Sequence, residues 1–149
     1  MTDLNITETK REQALNKALE ALHFGFRAVV ARPDAMLTEY KLSRIHHRIV
    51  YFIGRNPGLS VNELLAILSI SKQSLNLPLR QLTQLELIES KNYTIDRRLK
   101  RLKLTQQGSC LENQLSGEQR ERFAQVFEIV GPEGEEAWRT VMRLLADRE

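Results

Sequence analysis

The sequence predicts a mainly α-helical chain that carries one small β-hairpin. Three observations lead there. Apolar residues recur at helical spacing from residue 10 to about 85 and again beyond 105. Between those stretches, over residues 87–104, the period drops to two. Two of the helical stretches are also separated by about three residues, the spacing of a helix-turn-helix. With 149 residues, 42% apolar and 28% charged, the chain is one domain's worth of ordinary globular composition, able to bury a real core.

The first helix rests on Leu15, Ala18, Leu22, Phe26 and Val29, with Lys10, Arg11, Lys17 and Glu20 between them. It is expected over residues 10–32, stopped by Pro33-Asp34, with a short turn through Met36 and Tyr40. A second helix, about 43–55, carries Ile45, Ile49, Phe52 and Ile53 and ends at Asn56-Pro57-Gly58. The third opens on Ser60-Val61-Asn62-Glu63, a capping box, followed by Leu64, Leu65 and Leu68. After Ser69-Ile70, Ser71 caps a further helix to about Gln84 or Leu85. Pro78 lies inside it, where it removes a bond to the Ser74 carbonyl, so a kink near Ser74 or two irregular first turns are expected.

Residues 87–91 and 99–104 then read as strands, joined by the polar, turn-forming stretch Asn92 to Arg98. A helix-turn-helix followed directly by a basic hairpin is a winged helix. Helical pattern resumes after Thr105, a plausible cap, through Leu111, Leu115, Phe123, Val126, Phe127 and Val130. Ser116 with Gln119 offers a restart, which allows for a bend or break. Gly131-Pro132 is a stop-then-start pair, and Trp138, Val141, Met142 and Leu145 line a last helix. The first and last helices carry more apolar surface than a small winged helix covers, and a second copy of the chain is the economical cover.

The net charge of +3 is a cancellation. Residues 1–40 sum to −1, residues 41–103 to +8, and residues 104–149 to −4. The basic field therefore belongs to the helix-turn-helix and wing, where Lys91, Arg97, Arg98, Lys100, Arg101 and Lys103 face one acid, Asp96. A basic face on a groove-sized helix and hairpin is the electrostatic footprint of a duplex binder.

Other classes find less support. No apolar run approaches the roughly 20 residues of a membrane helix, and Met1 to Lys10 is too polar for a secretory signal. A soluble, intracellular protein is expected. The single cysteine, Cys110, excludes a disulfide framework; it falls on a small and apolar helix face and is expected to be a packed thiol. With nothing basic immediately preceding it, redox sensing is not expected. His46 and His47 are adjacent and cannot chelate as an i, i+4 pair would, so no metal site is expected. Neither a nucleophile elbow, a phosphate-cradling loop nor paired carboxylates near a histidine is present; no enzyme and no cofactor are expected.

The order of Ser60-Val61-Asn62-Glu63-Leu64-Leu65, Ile70-Ser71-Lys72-Gln73-Ser74-Leu75 and Leu79-Arg80-Gln81-Leu82 resembles the multiple-antibiotic-resistance regulator (MarR) family. The downstream segments Leu87-Ile88-Glu89, Asp96-Arg97-Arg98 and Leu104-Thr105-Gln106-Gln107-Gly108 are similar to the same family. The motifs span about residues 42–110; elsewhere the likeness is one of helix order. The resemblance implies a bacterial, cytoplasmic, winged-helix transcriptional regulator that binds double-stranded DNA as a two-fold homodimer. Residues 10–41 and 105–149 would then be dimerisation helices and 42–104 the DNA-binding lobe. A pseudo-palindromic operator, a repressing role and a response to a small aromatic effector are the further expectations.

Carried over by residue, the resemblance puts Ser71, Lys72, Gln73, Ser74 and Asn76 on the DNA-facing side of the recognition helix. Gln73 and Asn76 would read adenine edges, and Lys72 guanine or phosphate. Arg80 is better placed for the backbone, with Lys91 and Lys100 on the wing. Arg97 or Arg98 would enter the minor groove. Asp96 is either an orienting partner for one arginine or a simple turn-former. Leu77 and Pro78 depart from the family pattern. Leu77 can still meet a thymine methyl, but together the two leave open an alternative, a protein-interaction module with weakened DNA binding. Phe24, Phe26, His47 and Tyr51 are candidates for an effector pocket, although such spacing more often marks core or dimer interface.

Overall fold

In the computed structural model, which describes residues 7–92 and 100–147, five helices and one hairpin follow in the order α1 (Lys10–Glu39), α2 (Arg44–Arg55), α3 (Val61–Leu68), α4 (Lys72–Gln84), β1 (Ile88–Asn92), β2 (Lys100–Leu104) and α5 (Gln106–Ala146). The helix starts fall where the caps are written. Thr9, Ser60, Ser71 and Thr105 each accept a bond from the backbone N–H three residues on. Ser60 and Glu63 complete the capping box, at 3.1 and 3.0 Å. Ser69 takes the left-handed conformation that closes α3 (φ 54°), and two residues later Ser71 caps α4.

α1 does not stop at Pro33; it runs on to Glu39 with Pro33 fully buried inside it. A proline there deprives the Val29 carbonyl of its helical partner. Gln119 of α5 donates its Nε2 to that carbonyl at 3.4 Å, so a tertiary contact offsets the loss. α4 likewise continues through Pro78, and its first turn is regular, with Leu75 N–H bonded to the Ser71 carbonyl at 3.1 Å. The irregular start expected of it is absent. α5 carries no break at Ser116; the helical φ/ψ fail at Gly131 (φ 78°, ψ 176°), and Pro132 restarts the helix. The restart sets Trp138 against Phe123 and Phe127, with ring centroids 5.1 and 5.6 Å away.

The strands pair antiparallel, Ile88 opposite Leu104 and Asn92 opposite Lys100. A short third segment joins them: Leu102 N–H bonds the Leu59 carbonyl and Gly58 N–H the Leu102 carbonyl, both at 2.9 Å. The core sits beneath this sheet. Ile49, Ile53, Leu64, Leu75, Leu82, Leu102 and Leu115, all but fully buried, bind α2, α3, α4, β2 and α5 into one cluster. Cys110 is exposed, not packed. The inward stripe of α5 runs through Gly108, Leu111, Glu112 and Leu115, and Cys110 falls beside it.

Candidate nucleic-acid interface

The rotation of α4 about its axis decides what it can present. Leu75 and Leu82 are buried and Leu79 packs partly against the core. The opposite face therefore looks outward, with Ser71, Lys72, Gln73, Ser74, Asn76, Leu77 and Arg80 all exposed. Ser71 and Ser74 are tied to each other by a 2.9 Å hydroxyl bond, so they hold the helix start as well as facing out. This end of the helix also points free N–H groups and positive dipole outward, a setting suited to a phosphate.

A buried histidine fixes α4 to the helix behind it. Ser43 N–H donates to His46 Nδ1 at 3.0 Å, which leaves the proton on Nε2 to be donated to Gln81 Oε1 at 2.8 Å. Neighbouring His47 is buried too, with Nε2 3.1 Å from the Ser116 hydroxyl of α5. Burial pushes the His47 pKa below its ordinary value, against the pull of Glu112 and Asp34 and with the help of Arg48. Among the described residues no cluster of ligating side chains suits a metal ion.

On the wing, Lys91, Lys100 and Lys103 are exposed, whereas Leu102 and Leu104 point into the core. Arg101, one of the cations counted in the basic wing, is spent internally. Its guanidinium donates to the Gly58 carbonyl at 3.1 Å and to Glu63 Oε1 at 3.5 Å, fastening the wing to the start of α3. No pattern in the sequence separates it from its neighbours; the missing signal was the pairing of β2 with residues 58–60. Asn76, Arg80, Ser90 and Lys100 line one cavity of about 260 Å³ between α4 and the hairpin. Three of the expected DNA-facing residues thus converge there. Asp96, Arg97 and Arg98 lie outside the described residues.

The four residues expected to form an effector pocket are not gathered around one cavity. Tyr51 lines a space of about 1410 Å³ between α2 and the bent α5, with Arg55 stacked on its ring at 4.9 Å. Phe26 lines a separate apolar space of about 420 Å³ against Phe123, Phe127 and Trp138. Phe24 is 60% exposed, and His47 is held against Ser116. Tyr51 on α2 and Phe26 on α1 open onto separate spaces that share Phe123, Phe127 and Trp138 of α5 as a wall, a relation that spacing along one helix cannot reveal.

A helix-turn-helix and a hairpin presenting one basic face define a winged-helix DNA-binding protein. Comparison with known proteins narrows this. A model of the MarR family matches residues 40–98. Over 136 residues the chain is 38% identical to the HTH-type transcriptional regulator PetP of Rhodobacter capsulatus, covering 91% of this chain and 82% of that one. The crystal structure of NadR in complex with 4-hydroxyphenylacetate is similar, with a TM-score of 0.67 and 25% identity, over 97% of this chain and 99% of that one. So is FabT of Streptococcus pneumoniae in complex with DNA, a likeness of fold alone, with a TM-score of 0.72 and 20% identity over 92% of this chain and 99% of that one. The chain belongs to the MarR family, and it is a DNA-binding transcriptional regulator. The protein-interaction alternative that Leu77 and Pro78 left open is not favoured.

Proposed function

We propose that this regulator acts as a homodimer that binds a pseudo-palindromic operator and represses transcription, in the cytoplasm and by binding rather than by catalysis. The observation that carries the reading is the outward face of α4, capped at Ser71 and flanked by the exposed lysines of the wing. Lys72, Gln73, Ser74 and Asn76 meet base edges and nearby phosphates. Arg80, Lys91 and Lys100 hold the backbone, and Arg97 or Arg98 enters the minor groove beside Asp96.

Residues 10–41 and 105–149 form the dimer. Leu19, Leu22 and Phe24 on α1, and Ile129, Val141, Leu144 and Leu145 on α5, are between 53% and 85% exposed in the single chain. Apolar surface on that scale supports a partner helix surface. No helix of the described residues is long and apolar enough to cross a membrane. The cavity lined by Tyr51 and Arg55 suits a small aromatic acid, which matches the 4-hydroxyphenylacetate in the NadR complex. Such an effector would shift the dimer between competent and incompetent spacings of its two lobes.

Selection of bound sequences from random duplex DNA tests the reading. A two-fold symmetric consensus with half-sites about one helical turn apart is expected. A pool with no enriched sequence, or an asymmetric one, would overturn it.

A further inference from the structure

One side chain on the outward face of α4 can neither carry charge nor form a hydrogen bond. Leu77 is 56% exposed, one turn beyond Gln73 and one turn before Arg80 and Gln81. Because α4 stays helical through Pro78, Leu77 keeps its place on the face opposite Leu75 and Leu82. It is an apolar patch bordered by Gln73, Ser74 and Arg80, on a lobe whose neighbouring cations are Lys72, Lys91, Lys100 and Lys103.

The surrounding charge selects a duplex as the occupant, and a duplex offers one apolar group in its major groove, the C5-methyl of thymine. Set against any other base edge, Leu77 would strip water from an N7, O6 or N4 group and return no hydrogen bond. We infer that Leu77 is a specificity-determining residue that reads a thymine methyl within each half-site and excludes G·C pairs there. This rests on α4 being the helix that reads bases, and it adds to the polar readers a contact made without hydrogen bonds.

Replacing thymine by deoxyuridine deletes the methyl and keeps every hydrogen-bonding group. With a site selected from random duplexes, each thymine is changed to deoxyuridine in turn and affinity is measured by fluorescence anisotropy. One position per half-site should weaken binding about fourfold, the worth of one buried methyl-sized contact. Leu77→Ala should bind the thymine and deoxyuridine duplexes equally at that position, whereas Gln73→Ala should still distinguish them. A selected site in which no thymine methyl is felt, or one felt equally by Leu77→Ala, overturns the inference alone. A pool that yields no enriched sequence overturns the base-reading role of α4 and this inference with it.

Discussion

His46 and Gln81, 35 positions apart, meet at 2.8 Å and join α2 to the outward-facing helix α4. The ring is buried and its other nitrogen accepts from Ser43, so both of its polar atoms are used. The orientation of α4 therefore depends on a hydrogen bond as well as on Leu75 and Leu82.

Removing both partners should cost less than the sum of the two single losses. His46→Ala is expected to destabilise the fold by about 1–3 kcal/mol, and Gln81→Ala by about 1 kcal/mol. Urea unfolding of both single variants and the double variant should give a coupling of about 1 kcal/mol. Strict additivity would show that the contact does not hold α4.

Gly108 admits no side chain. A Cβ there would lie 1.9 Å from the Leu87 carbonyl oxygen, which itself receives the Thr105 N–H at 3.1 Å. Gly108→Ala must push α5 away from the start of the wing, at a cost of about 1–3 kcal/mol or more. Thermal unfolding should show the loss, and Gly117→Ala, whose nearest contact would be Arg120 at 3.8 Å, should show none comparable.

His47 gives stability a dependence on pH. Its folded pKa is lowered, chiefly by burial, so the unfolded chain binds its proton first as pH falls. The stabilisation is complete above about pH 6.5 and is lost as pH drops from there through the lowered folded value. Denaturant midpoints measured from pH 7.5 down to 5.5 should fall, and the fall should be shallower in His47→Gln. Equal slopes in the two proteins would remove His47 as the cause.

Much of this fold is legible because its signals are local. Ser60 and Glu63 announce a helix start by themselves, and Thr105 caps α5 on the Gly108 N–H three residues on. What misleads is whatever distant residues settle. Pro33 reads as a stop because its compensation, Gln119, lies 86 positions away. Arg101 counts with the wing's basic cluster in the sequence because its partners, Gly58 and Glu63, lie 43 and 38 positions away at the start of α3. Cys110 reads as packed from its small, apolar neighbours, yet one step around the helix from Leu111 is enough to expose it. The aromatic candidates diverge for the same reason, since Phe123, Phe127 and Trp138 of α5 stand between the space lined by Tyr51 and the one lined by Phe26.

Whether the face made by α4 and the wing grips the DNA backbone is decided by the salt dependence of duplex binding. A regulator making about 6–10 phosphate contacts should lose roughly 10³–10⁵ in affinity between 50 and 200 mM salt, and Arg80→Ala with Lys100→Ala should flatten that slope by about two contacts. Affinity that is insensitive to salt, or a slope the double variant leaves unchanged, would show that this face does not hold the backbone.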